Sequence, residues 1–283
     1  MSLLDKINFC NNGKSRETYI PFFVEDQRVG WIHQEFVAVL KSYSELFLQK
    51  ENSISISTFY SQYETRTSAV DKVLRKLYTE KRFTGWRNEP YPVSAGFFDK
   101  PFFEMERAAV PYFGVRAYGV HLNGYVRDND EILMWIAKRA DNKPTYPGKL
   151  DNMVAGGLPL GIGVLENLIK EASEEAALPT EFSSKVKPVG VISYCHEENS
   201  CLKPDLIFVF DIELPHDFVP NNIDGEVSEF KLLPAKQVLS ITSDTSDFKF
   251  NCAAVNIDFF IRKGILTPED YDYTNIVRAL YGG

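Results

Sequence analysis

At 283 residues, with 44% hydrophobic and 13% aromatic residues, the chain is long enough for two domains or one large one and for sizeable cores. A net charge of −8, a pI near 5.2 and the absence of a basic stripe interleaved with aromatics argue against a polyphosphate backbone, so no nucleic-acid polymer is expected as partner. No uncharged apolar run approaches the roughly 20 residues of a spanning helix, so no membrane partner is expected either.

The amino terminus, MSLLDKINFCNNGK, carries neither an apolar signal segment nor the composition of a transit peptide, and a cytoplasmic location is the expectation. Cys10, Cys195, Cys201 and Cys252 are scattered and read as reduced thiols, while Cys195, His196 and Cys201 lack the fourth ligand of a zinc site. The periodicities predict a short helix over 3–9, a hairpin of strands 19–24 and 29–33, helices over 35–48 and 68–77, and a strand over 53–59. Residues 1–110 thus form a small α+β domain, ending in a stretch rich in Phe, Tyr, Trp and Pro that reads as packed linker and that also offers rings to a ligand.

From Phe113 the texture changes to strands, 115–126 and 131–139 about the polar turn Arg127-Asp128-Asn129-Asp130, which opens a second domain over 111–283. A Pro- and Gly-rich stretch, DNKPTYPGKLDNMVAGGLPLG, predicts a non-repetitive loop that feeds an acidic helix. Strands follow over 186–194, 206–214 and 227–232, with HEENSCLKPD as a connection, and helical patterns close the chain at 235–239, 253–262 and 273–281.

The acidic helix is where chemistry is expected. Glu171, Glu174 and Glu175 stand at i, i+3 and i+4, on roughly one third of the helix circumference. Three like charges side by side call for a counter-charge, and Val164, Leu165, Leu168, Ile169, Ala172 and Ala176 form the adjoining apolar arc that anchors the helix. Carboxylate oxygens suit hard cations, so this helix reads as a Mg²⁺ platform for a diphosphate, with Mn²⁺ as the alternative metal. A solvated acidic face balanced by Lys170 is the plain alternative.

The stretch resembles the Nudix box, G-x5-E-x7-R-E-U-x-E-E-x-G-U, with Lys170, Glu171, Ala172, Glu174, Glu175 and Leu178 on its second half, Lys replacing Arg and Ala177 replacing Gly. Its first half departs: the upstream Glu falls on Ile162 or Gly163, and Glu166, the nearest substitute, is placed instead for an i, i+4 pair with Lys170. The strings GVRAYGVHLNGYV, WIAKRADNKPTYPGKLDNMVAGGLPLGIG, FVFDIELPHDF and DGEVSEF narrow the resemblance to Nudix proteins with a thiamine pyrophosphokinase-related N-terminal domain. That resemblance implies an α+β Nudix fold, a mixed sheet sandwiched between helices, behind the extra domain. It also implies a small-molecule substrate of thiamine diphosphate type, including damaged or analogue forms, with ADP-ribose and nucleoside diphosphates as alternatives.

In such a hydrolase Glu171, Glu174 and Glu175 are the expected metal ligands, with Glu171, Glu175 and a fourth carboxylate, Glu226 or Glu229, in catalysis. Gly156 and Gly157 let the backbone approach metal or phosphate, or simply form a tight turn; Arg139 and Lys143 are candidates for phosphate oxygens. Two other classes compete: a pyrophosphate-transferring kinase, for which no G-x-x-x-x-G-K-[ST] loop exists, and a ligand-binding module with a degenerate box.

Overall fold

A computed structural model describes residues 1–282. The chain begins with α1 (Leu3–Cys10), closed at its start by a capping box: Asp5 N–H donates to Ser2 Oγ at 3.1 Å and Ser2 N–H to Asp5 Oδ2 at 2.8 Å. A four-stranded sheet follows, built from β1 (Tyr19–Val24), β2 (Gln27–His33), β3 (Phe47–Lys50) and β4 (Ser53–Ile56) in the order β2-β1-β4-β3. Between β2 and β3 lies α2 (Gln34–Leu40). The helix expected to reach residue 48 stops here, because 41–43 tighten into a 3₁₀ turn and Phe47 and Leu48 pair with Ile56 and Ser55.

Next come α3 (Tyr63–Thr79), the hairpin of β5 (Pro90–Val93) and β6 (Phe103–Glu106), and the short α4 (Val110–Phe113). Phe22, Ile32, Leu40, Ile54, Leu74, Phe103 and Phe113 share one buried core, so the aromatic-rich stretch is largely packing, as its composition predicts. Arg66, on α3, donates to the Tyr60 carbonyl at 2.8 Å and pairs with Glu25 at the turn between β1 and β2, and so ties that helix to the strand layer.

The second sheet carries the site. Its strands are β7 (Tyr118–Asp128), β8 (Glu131–Arg139), β9 (Leu150–Asn152), β10 (Val154–Gly157), β11 (Lys187–Ser193), β14 (Leu206–Glu213) and β15 (Val227–Pro234). Between β10 and β11 runs the acidic helix α5 (Val164–Ala176), and a small hairpin of β12 (His196–Glu198) and β13 (Cys201–Lys203) sits ahead of β14. The order is β11-β14-β7-β8-β15, with β7 and β14 parallel and the other pairs antiparallel. The first half of β7 pairs with β10 and its second half with β8, so the sheet forks, with β10 on one arm and β8, β9 and β15 on the other.

Helices cover both faces. Val120, Leu122 and Val154 meet α5, while Met134, Ile136, Ile207 and Val209 meet α7 (Phe250–Arg262). Helix α7 is buried on nearly every side, its polar Asn251, Asn256 and Asp258 included, because it is enclosed by the sheet on one side and by α1, α6 (Ala235–Asp244) and α8 (Tyr273–Tyr281) on the others. Leu3, Ile7 and Cys10 therefore belong to this second core and not to the N-terminal sheet that follows them in sequence. The mixed sheet between helices agrees with the sequence expectation, preceded by a smaller β-rich region.

Candidate active site

Helix α5 buries Leu168, Ala172 and Ala176, which turns Glu171, Glu174 and Glu175 along the edge of β10. Leu165, expected within the apolar arc, is exposed, and Asn167 is buried instead, donating from Nδ2 to the Gly157 carbonyl at 2.9 Å. Glu175 is buried and accepts the Ala155 N–H at 2.9 Å on Oε2. Helix and strand are thus tied on both sides of the diglycine. Gly156 and Gly157 lie on a strand and not in a tight turn: a Cβ on Gly156 would sit 2.5 Å from Glu171 Cδ, and one on Gly157 would collide with the Tyr91 hydroxyl. What the missing side chains admit is Glu171 on one residue and Tyr91 on the next.

Lys170 reaches Glu174 at 3.0 Å and Glu171 at 3.4 Å. The expected pair with Glu166 is not formed, because Glu166 Oε2 turns back to the Gly163 N–H at 3.5 Å and caps the first turn. Burial pushes the Glu171 carboxyl up, against Lys170, and Glu174 and Glu226 add repulsion. For Glu175 burial dominates so strongly that its carboxyl is held well above the usual range; the Ala155 N–H offsets part of this, and Asp151, Glu171 and Glu226 push the same way as burial.

Glu226 faces this helix from the loop before β15. Its N–H donates to Asp224 Oδ1 at 2.9 Å and Gly225 takes a left-handed φ of 81°, so the loop is a turn and also presents a carboxylate to the cavity. Burial would raise that carboxyl, but the hydrogen bond and charge of Lys143, with Arg87 and Arg139 behind them, hold it below its ordinary value. Glu229 is exposed on β15 and pairs with Lys231 at 3.3 Å. Arg139 and Lys143 both line the cavity, with their donors engaged inside the protein: Lys143 on Glu226, and Arg139 on Asp151 at 3.0 Å, the Tyr146 carbonyl at 3.1 Å and the Thr145 carbonyl at 2.9 Å.

These groups border one cavity of about 430 Å³ at the fork of the sheet. Glu171, Glu174, Gly156, Gly157 and Glu226 are on its wall, with Glu175 behind them. The opposite wall comes from the N-terminal region: Arg87, Glu89, Tyr91, Arg107 and Pro111. Of the aromatics in that region Tyr91 alone among Trp86, Tyr91, Phe97, Phe98 and Phe102 reaches the cavity. Trp86 stacks on Phe83 at 6.2 Å, Phe97 packs on Tyr118 at 4.8 Å, and Phe98 is exposed.

Beyond β7 the cavity ends on Tyr194, Asp205 and Phe250. Asp205 accepts the Ala117 N–H at 3.2 Å and the Tyr194 hydroxyl at 3.1 Å, and among the described residues no cation pairs with it. It lies deep yet keeps part of its carboxyl open to the cavity, and burial raises it to about 6, against both hydrogen bonds and the more distant charges of Lys203 and Lys249. Tyr91 comes from the aromatic-rich stretch expected to offer rings, but no local pattern marks Arg107, Tyr194 or Asp205 in the sequence; the topology brings them together.

Glu171 and Glu174 border the glycine strand, and burial together with mutual repulsion pushes Glu171 and Glu175 up, the condition that a hard positive ion relieves. The group whose ligand atoms already lie within 4.8 Å of one another is a different one, His121, Asp151 and Cys252. Here the charge is already balanced: Asp151 pairs with Arg139 at 3.0 Å and faces Lys249 at 4.0 Å, and the Cys252 thiol donates to Asp151 Oδ1 at 2.8 Å. Its sulfur and imidazole suit a softer metal than the glutamates do. His121 and Asn123 enter a buried network in which His121 Nδ1 meets Asn152 Oδ1 at 2.7 Å and Asn123 donates to Asp211 at 3.1 Å. Cys195 and His196 are spent on the Gly13 and Phe9 carbonyls, at 3.3 and 3.0 Å.

Residues 2–117 match a family model described as a domain of unknown function, DUF4743. Among curated proteins the chain is 43% identical to Nudix hydrolase 20, chloroplastic, of Arabidopsis thaliana over 98% of its own length and 76% of that protein. It is also 43% identical to Nudix hydrolase 24, chloroplastic, of the same plant, over 99% of its length and 78% of the relative. Among solved structures it is similar to DR0079 from Deinococcus radiodurans, with a TM-score of 0.45 and 17% identity over 61% of this chain and 98% of that one. Through its identity to the two Arabidopsis proteins along almost its whole length, the chain belongs to the Nudix hydrolase family.

Proposed function

We propose that the protein is a metal-dependent hydrolase that cleaves the diphosphate linkage of a small molecule and releases the monophosphate, with thiamine diphosphate and its damaged or analogue forms as the substrate class. The observation that carries this reading is that Glu171, Glu174 and Glu226 line one cavity, Glu171 directly over Gly156 and Glu175 buried behind them on the Ala155 N–H. A volume near 430 Å³ suits a small ligand.

Glu171, Glu174 and Glu175 would hold Mg²⁺ or Mn²⁺, which when bound neutralises phosphate charge and acidifies a water. Glu175, anchored on the Ala155 N–H, fixes the distance between helix and strand. Glu226, kept ionised by Lys143, is poised to accept a proton or to complete the ligand set. At the other end, the unpaired carboxyl of Asp205 beside Tyr194 and Phe250 supports a ring that carries amino hydrogens or positive charge, as thiamine does. The spacing supports the same division: β10, β7 and β14 are adjacent and Asp205 is offset from Gly156 by three residues along β7, so the two are separated by about two strand intervals across and about 10 Å along, or about 14 Å in all.

The test is product analysis on the full chain with Mg²⁺ across thiamine diphosphate analogues, ADP-ribose and nucleoside diphosphates. The expected result is monophosphate release without ATP, fastest on a thiamine-type diphosphate. Binding without turnover on every compound would make the protein a ligand-binding module, and an ATP-dependent gain in mass would make it a kinase.

A further inference from the structure

A diphosphate brings several negative charges to a cavity whose metal end is already acidic, so cations with uncommitted donors are needed on the wall. Most of the cations present are spent. Lys170 serves Glu171 and Glu174, Lys143 serves Glu226, Arg139 uses all three of its nitrogens, and Lys203 is bound to Tyr146 and Glu198 at 3.0 and 2.9 Å.

Arg107 differs. It commits Nη1 to Glu89 at 2.8 Å and leaves Nη2 and Nε without protein partners among the described residues. Its Nη2 lies 3.5 Å from where a Cβ of Gly157 would be, one residue from the strand position that Glu171 overhangs. Arg87, on the same wall, makes no side-chain hydrogen bond or ion pair among the described residues. Both arginines are held in place by Glu106, a buried carboxylate that accepts the N–H groups of Arg87 at 3.0 Å, Glu89 at 3.2 Å and Ala108 at 3.3 Å. The Arg107 N–H adds a bond to the Glu89 carbonyl at 2.9 Å, and the guanidinium lies 5.7 Å from the centre of the buried Tyr91 ring. A fork with one edge fixed and the other facing a glycine is the arrangement that bidentate phosphate recognition requires.

We infer that Arg107, assisted by Arg87, is the phosphate grip of this site, supplied by the N-terminal region to a substrate whose metal end is held by α5. The inference deepens the hydrolase reading and rests on it for the identity of the ligand. It also gives the N-terminal region a chemical task, because without residues 87–107 the cavity loses its two uncommitted guanidinium groups.

The test is calorimetric titration of inorganic pyrophosphate with Mg²⁺ into the full chain and into R107M, R107K and R87M, beside melting curves of each. Arg107→Met is expected to weaken binding about 10- to 100-fold at an unchanged melting temperature, Arg107→Lys to fall between it and the native protein, and Arg87→Met to lose less. A folded R107M that binds within threefold of the native protein overturns the inference, as does a native protein that binds no pyrophosphate. Should R107M fail to fold, R107K decides, and native-like affinity in it overturns the inference. Arginine-dependent binding with no diphosphate cleaved would leave this grip standing and remove the hydrolase reading, whereas turnover with an unaltered KM in R107M would do the reverse.

Discussion

Two walls of one cavity were made in different ways. The acidic wall comes from a single helix, where Glu171, Glu174 and Glu175 are adjacent because the 3.6-residue repeat makes them so. The other wall comes from 87–91 and 107–111, which meet because β5 and β6 pair and Glu106 clamps the segment ahead of β5 to the residues after β6. The first wall is set by local geometry; the second depends on the packing of a whole region. On the proposed hydrolase reading, the chemistry would sit on the helix and recognition of the ligand on the assembled wall.

The largest effect that would break this division is on the helix. Glu174→Gln or Glu175→Gln removes a metal-facing charge, and since a bound metal contributes several kcal/mol to the transition state, turnover should fall about 10²- to 10³-fold. Stability should not fall with it. Glu175 is a buried carboxylate without a cation, and Gln can still accept the Ala155 N–H, so its melting temperature should be unchanged or higher. The loss should appear in kcat, in contrast to the KM effect expected of Arg107. Steady-state kinetics on both variants decide the matter, and unchanged turnover in both would sink the metal assignment.

The same contrast governs what could be read from the residues alone. The acidic helix, β7, β8 and β14 were legible because each signals itself within a dozen residues. Glu226 was reachable through a short acidic loop next to a predicted strand. Other elements were not. The 35–48 pattern kept helical periodicity past Leu40, and only pairing with β4 shows that Phe47 begins a strand. The hairpin of β12 and β13 turns on Asn199 and Ser200, both left-handed at φ 54° and 59°, a weaker signature than Asn-Gly. Strands β9 and β10 are three and four residues long, and β10 ends in two glycines, so they read as loop. Arg107 and Asp205 carried no local sign, since what distinguishes them is the partner that each lacks.

A smaller effect sharpens the comparison on the assembled side. His121 is buried under the fork, and burial lowers it from 6.5 to about 4, with Asp151 opposing and Lys249 reinforcing the shift. The folded protein therefore holds this imidazole neutral at pH values where the unfolded chain has already protonated it. The stability it contributes is complete above about 6.5 and is lost as pH falls towards 4, a change worth about 3 kcal/mol. Asp205, raised to about 6, works in the opposite sense, losing stability as pH rises from 3.8 to 6, and the raised Glu171 and Glu175 act in the same sense as Asp205, so the native slope is a difference between His121 and these carboxyls. Urea midpoints of the native protein and of His121→Gln between pH 4 and 7 separate them. The variant should lack the acid-side loss carried by His121, and parallel slopes would show that His121 titrates normally in the fold.

The smallest effect returns to the helix and tests whether its departures from the Nudix pattern are local. Ala177 occupies the position where the pattern has Gly, and it ends α5 at φ 50° and ψ 33°, in the left-handed region. A Cβ there costs roughly 1–2 kcal/mol, while glycine gives back part of that gain through the freedom of the unfolded chain. The Leu178 N–H bonds to the Ala172 carbonyl at 3.0 Å in either case, so the cap itself is not at stake. Ala177→Gly should raise stability by about 0.5–1 kcal/mol and the melting temperature by about 2 °C, with turnover unchanged because neither Glu174 nor Glu175 moves. A destabilised variant would mean that the αL strain is relieved by packing around Ala177. A change in turnover would mean that the helix end positions the carboxylates, and the metal wall would then depend on tertiary packing as the arginine wall does.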